Sequence, residues 1–169
     1  KPFFVYYAPG ATHAPHHVPR EWSDKYKGKF DNGWDKLREE IFARQKKLGV
    51  IPKNAKLTER PEEIPAWNDI DEKLKPVLAR EMEIYAGFME QTDHCMGKVV
   101  DTLEDLGILD DTLIFFIVGD NGASAEGTLH GCFNEMTTLN GIPGIETTEF
   151  LLSKINDFGT PKAYNHYAV

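Results

Sequence analysis

Six consecutive apolar residues, Leu-Ile-Phe-Phe-Ile-Val at positions 113–118, are followed after one glycine by a carboxylate and an amide, Asp120 and Asn121. The run is rich in β-branched and aromatic side chains and is bounded by Asp110, Asp111 and Gly119. That pattern predicts a short buried strand. Open α/β sheets bind ligands at the carboxyl ends of their strands, and this run delivers Asp120 and Asn121 there. Both side chains offer hard oxygen donors, suited to Ca²⁺ or Mg²⁺ rather than to a soft metal. Asp-Asn-Gly is also ordinary turn chemistry, and the segment alone leaves both readings open.

A second strand-like run occupies positions 1–9, with Phe3, Phe4, Val5, Tyr6 and Tyr7 at its centre. It too ends in a loop punctuated by glycine and proline, and this loop carries His13, His16 and His17. Between the two runs, Trp34, Leu37, Ile41, Phe42, Gln45 and Leu48 keep helical spacing, and Gly49 is the expected stop. A longer helical pattern spans 76–106, with Met82, Tyr85, Met89, Met96, Val99, Val100 and Leu103 largely on one side and Gly107 at its end. Residues 50–75, rich in Pro, Lys and Glu, read as an irregular surface excursion. A short helix is expected over 147–156, after a loop-like stretch at 123–143. Strand, helical crossover and strand imply a parallel sheet and an α/β fold.

The 169 residues suit one domain. Nineteen basic against 27 acidic residues give a net charge of −8. That balance argues against a nucleic-acid partner, which requires clustered cations. No apolar run approaches a membrane span. Lys1 directly precedes a strand-like run and the residues at 164–169 carry no terminating signal, so the chain reads as an internal piece of a longer protein.

The His-Ala-Pro loop after one strand and the Gly-Asp-Asn-Gly-Ala turn after a later one resemble the sulfatase family, within the alkaline-phosphatase-like superfamily. The similarity continues through Tyr85-Ala-Gly-Phe-Met-Glu-Gln-Thr-Asp-His-Cys-Met-Gly97 and the Leu-Glu-Asp-Leu-Gly-Ile-Leu-Asp-Asp-Thr stretch at 103–112. Large bacterial arylsulfatases are also similar around Trp22, Ile51-Pro52, Trp67 and the Ser-Ala-Glu-Gly at 124–127. The resemblance implies part of an α/β/α sandwich with a mostly parallel sheet. It further implies Asp120 and Asn121 as paired Ca²⁺ ligands, and His13 as the histidine that approaches the sulfate and the leaving-group oxygen. An imidazole suits that post because it donates hydrogen bonds and exchanges protons near neutral pH. The implied substrate is a small-molecule or glycan sulfate ester, and the implied location of bacterial relatives is periplasmic or secreted.

The family's nucleophile is a formylglycine made from the first residue of Cys-x-Pro-Ser-Arg or Ser-x-Pro-Ser-Arg. Cys95 precedes Met-Gly-Lys and Cys132 precedes Phe-Asn-Glu, so neither fits. The nucleophile and the remaining carboxylate ligands are expected upstream of Lys1, and a sulfate-binding lysine beyond Val169. Lys154 and Lys162 lack that context. Cys95 reads as a small core residue, and whether it pairs with Cys132 stays open. His16 and His17 match no fixed family position clearly, and a zinc cluster with His13 lacks an acidic or thiol partner. His94, His130 and Glu126 read as structural or solvated, as does the Lys46-Lys47 pair. A phosphate or phosphonate ester hydrolase of the same superfamily, or a binding domain retaining the fold, are the alternatives.

Overall fold

Gly49 ends the first long helix as its spacing predicts, because its left-handed backbone (φ 74°) turns the chain out of the helix while its N–H donates to the Gln45 and Lys46 carbonyls. The computed structural model describes residues 1–119 and 125–167. It contains five α-helices among these: α1 (Arg20–Ser23), α2 (Gly33–Leu48), α3 (Lys75–Asp105), α4 (Glu135–Leu139) and α5 (Thr148–Ser153). Helix α3 starts on Pro76 near its first turn, where a missing N–H costs nothing. Helices α4 and α5 are capped by Asn134 and Thr147, whose side chains accept from the N–H groups of Met136 and Phe150. Helix α4 was not expected, since the stretch at 123–143 carries no apolar period. No helix among the described residues is long and apolar enough to cross a membrane.

The core gathers on the N-terminal half of α3. Val77, Leu78 and Ile84 pack with Val18, Trp67, Ile70, Leu74, Leu151, Phe158 and Tyr167. This corrects the reading of 50–75 as surface alone, because Trp67 and Ile70 are buried. Trp67 stands edge-on to Trp34 with ring centroids 4.8 Å apart, and its backbone N–H donates to the Asp35 carboxylate at 2.7 Å. The excursion therefore returns to the core to cover α2, a long-range contact that no local period encodes. The far half of α3 departs from expectation in the other direction: Met89, Val99 and Val100 are exposed.

Helix α1 lies against α3 at Gly87, where a β-carbon would come within 2.7 Å of the Ser23 backbone. Arg80 fixes this crossing, reaching Asp24 at 3.1 Å, Glu83 at 2.8 Å and the Ser23 hydroxyl at 3.1 Å. Such a half-buried, multiply hydrogen-bonded guanidinium holds geometry better than an exposed ion pair does.

The two runs expected as buried strands are neither buried nor paired into a sheet among the described residues. Phe4, Tyr6, Leu113, Phe115 and Ile117 are each more than three-quarters exposed. Isolated bridges join Cys132 with His166 and Asn134 with Tyr164. An apolar run can be buried only if something lies on both of its faces, and nothing among the described residues covers these two.

Candidate functional site

The loop that carries the histidines is fastened to the segment 159–166 at three points. The His16 N–H donates to the Asn165 carbonyl at 2.9 Å, and the Val18 N–H donates to the Gly159 carbonyl at 3.1 Å. Between them the His17 ring donates from Nε2 to the Ala163 carbonyl at 2.6 Å. Ala14, His16 and Val18 face inward, whereas His13 is exposed. Pro9, Pro15 and Pro19 restrict the backbone around this alternation.

His13 and His16 line one cavity of about 550 Å³, together with Thr12, Tyr85, His166 and Tyr167. That volume lies within the range of small-ligand sites. The His13 Nδ1 is 2.8 Å from the Ala14 carbonyl. A carbonyl only accepts, so Nδ1 carries the proton and Nε2 is left for a ligand. In the neutral ring Nε2 accepts a hydrogen bond, and after protonation it donates one. His17 has no such freedom, because Ala163 occupies its Nε2.

His16 is buried among the rings of Tyr85 (5.0 Å), Phe88 (6.1 Å) and His166 (5.1 Å). Burial first, and then the neighbouring His166, His13 and His17, push its pKa down from 6.5 to about 4. Its Nδ1 has no hydrogen-bond partner among the described residues. His166 is itself held by the Glu135 carboxylate, 3.2 Å from its Nδ1. Four backbone hydrogen bonds tie the 132–135 segment to 164–166. Tyr85, His166 and Glu135 were not read as site residues. Tyr85 sits in a helical apolar stripe and His166 in a featureless terminal stretch, so neither carries a local signal.

Below this segment Glu81 is fully buried, and both of its carboxylate oxygens lack partners among the described residues. A β-carbon on Gly131 would come within 2.1 Å of that carboxylate. Burial, then repulsion from Glu146, raise its pKa well above the usual carboxylate value. The Glu146 carboxyl is raised as well, chiefly by burial, despite accepting from the N–H groups of Phe133 and Asn134. Cys132 is buried and its thiol is pushed up to about 12, which removes it as a nucleophile at neutral pH. Cys95 is half-buried rather than core, and both cysteines are unpaired.

These two buried groups set opposite limits on stability. His16 takes up a proton more readily unfolded than folded, so its contribution is complete above 6.5 and is lost as pH falls toward about 4. Glu81 holds its proton more tightly folded than unfolded, so its contribution is present in acid and is lost as pH rises through its elevated folded pKa. Thermal melting against pH should show both limbs. Glu81→Gln should flatten the alkaline limb and leave the acid limb in place. An alkaline limb unchanged by that substitution would show that Glu81 is not its source.

Asp120 and Asn121 lie outside the described residues. Among the described residues, no group of three or more His, Cys, Asp or Glu converges on a position that could hold a metal. Gly127, seven residues after Asp120, packs against His166, with a virtual β-carbon 2.7 Å from its carbonyl oxygen. The other residues weighed from sequence stay outside the cavity. His94 is exposed and lies tilted against Trp22 with ring centroids 5.2 Å apart, His130 and Glu126 face solvent, and Lys46 lies over the Phe42 ring. Lys162 pairs with Asp157 at 3.1 Å, and Lys154 lies over the Phe133 ring. A second cleft of about 470 Å³ beside α2, walled by Trp34, Phe42 and Met82, is mostly apolar, includes no residue of the histidine loop and shares Tyr167 with the first cavity.

The sulfatase family model matches residues 1–157. The chain belongs to the sulfatase family. A sulfatase of Schizosaccharomyces pombe, described as uncharacterized, is 34% identical over 154 residues, covering 86% of this chain and 24% of that protein. An arylsulfatase of Klebsiella aerogenes is 30% identical over 124 residues, covering 73% of this chain and 26% of that protein. The chain thus spans about a quarter of the length of the curated relatives it matches.

Proposed function

We propose that the full-length protein containing this sulfatase segment hydrolyses sulfate monoesters, with His13 as a catalytic residue. The observation that carries the reading is the coincidence of a family match over residues 1–157 with a histidine at a cavity whose Nε2 has no hydrogen-bond partner among the described residues. Ala14 fixes the tautomer of that ring. The ring is then set to hold the sulfate or to pass a proton to the departing oxygen. The relative named arylsulfatase supports the ester class.

Asp120 and Asn121 are proposed as Ca²⁺ ligands on the strength of their donor chemistry, a carboxylate beside an amide oxygen. Calcium takes about 6–8 oxygens, so these two would be part of a larger set. When bound, the ion would offset negative charge on the sulfate oxygens. The nucleophile is proposed to be a formylglycine outside this segment, because Cys132 is inert and Cys95 lies on the exposed half of α3. The exposed runs at 3–7 and 113–118 are proposed to pair within a parallel sheet of an α/β/α sandwich that the rest of the protein completes.

The test is His13→Ala in the full-length protein. It should depress kcat/KM for an aryl sulfate by roughly 10²-fold or more. His17→Ala should act more mildly, since that ring is spent on the Ala163 carbonyl. A larger loss at His16 or His17 than at His13 would show that the wrong histidine has been assigned.

A further inference from the structure

The cavity beside His13 holds more hydrogen-bonding capacity than a sulfate contact uses. Tyr85 projects into it from α3, and its hydroxyl is 3.4 Å from the Thr12 hydroxyl, which donates to it. Each hydroxyl of this pair can donate or accept, and at 3.4 Å the contact is long enough for a ligand hydroxyl to compete for Tyr85. The Tyr85 ring is held against the His16 ring at 5.0 Å, and His16 in turn against His166 at 5.1 Å. Glu135 locks His166 from behind. The described walls contain no Lys, Arg, Asp or Glu. Burial keeps His16 neutral down to about pH 4. Such a lining suits an uncharged ring, which aromatic walls cover and a single hydroxyl partner orients.

From this we infer that the cavity is a subsite for the alcohol half of the ester, an uncharged ring with a free hydroxyl near the sulfated oxygen, and that Tyr85 is its hydrogen-bonding contact. The inference rests on the sulfate-ester reading for the name of the ligand, and on the cavity alone for its chemistry. His13, on the same cavity, would then face the ester oxygen while Tyr85 recognises the neighbouring hydroxyl. Tyr85 would be a specificity residue, because a site that hydrogen-bonds a hydroxyl penalises the analogue lacking it.

The experiment uses the full-length protein and two matched pairs of probes, with affinities measured by calorimetry. Nitrocatechol is compared with para-nitrophenol, and a methyl glycoside with its deoxy analogue. The wild type should bind the hydroxyl-bearing member of one pair about tenfold more tightly, the scale of one buried hydrogen bond. The pair that shows the preference says whether the ring is aryl or sugar. Tyr85→Phe, which removes one oxygen and keeps the ring packed on His16, should abolish the preference. Equal affinities within both pairs for the wild type would overturn the inference, as would a preference that survives Tyr85→Phe. Turnover of nitrocatechol sulfate and para-nitrophenyl sulfate is followed in parallel. Hydroxyl-selective binding without turnover would remove the hydrolase reading and leave the subsite. Turnover without hydroxyl selectivity would do the reverse.

Discussion

Asp120→Ala in the full-length protein is expected to remove most sulfate-ester hydrolysis and to weaken calcium retention. A carboxylate in a Ca²⁺ site supplies both an oxygen and a charge, and alanine supplies neither. The fold should survive, because the buried core is built from Val18, Trp67, the N-terminal half of α3, Leu151 and Phe158. The measurement is calcium content by elemental analysis beside the rate with an aryl sulfate, with thermal melting as the control for folding. Full activity and unchanged calcium would sink the ligand assignment. A fall in melting temperature matching the loss of activity would make Asp120 structural instead.

The 169 residues expressed alone are expected to give no metal-dependent turnover at all. The chain has no Cys-x-Pro-Ser-Arg or Ser-x-Pro-Ser-Arg. Residues that act as a unit lose function together, so His13 with the two proposed metal ligands should give little residual rate. The isolated segment should also bind a hydrophobic dye and self-associate. Its runs at 3–7 and 113–118 expose eleven large apolar side chains, far beyond the scattered exposure normal for a soluble surface. Unpaired strand-forming segments of this kind are templates for association. A monodisperse, dye-silent preparation that turns over para-nitrophenyl sulfate with added calcium, above its Asp120→Ala control, would show that the catalytic apparatus is complete within it.

Local signals in the sequence sufficed for the two long helices. The apolar spacing from Trp34 to Leu48 and the glycine after it determined α2, and the stripe beginning at Pro76 determined α3, because 3.6-residue periodicity and glycine stops act over a few turns. The same order of motifs, His-Ala-Pro before Gly-Asp-Asn-Gly, was enough to point to the family that the match over residues 1–157 then showed. The loop that carries His13 was also legible, since it is marked by proline and glycine.

What surrounds His13 was decided only by tertiary structure. Tyr85 lies 72 residues away on α3 and His166 lies 153 away, and neither has a neighbour in sequence that marks it. They reach the cavity because the loop at 10–19 is hydrogen-bonded to 159–165 and that segment to 132–135, contacts between parts of the chain with no shared period. Burial followed the same logic. Trp67 was read as surface and lies in the core, while Phe4 and Phe115 were read as core and lie exposed. Apolarity determines that a side chain gains by leaving water, at about 25 cal/mol per Å². Whether it does so depends on what the rest of the fold places over it.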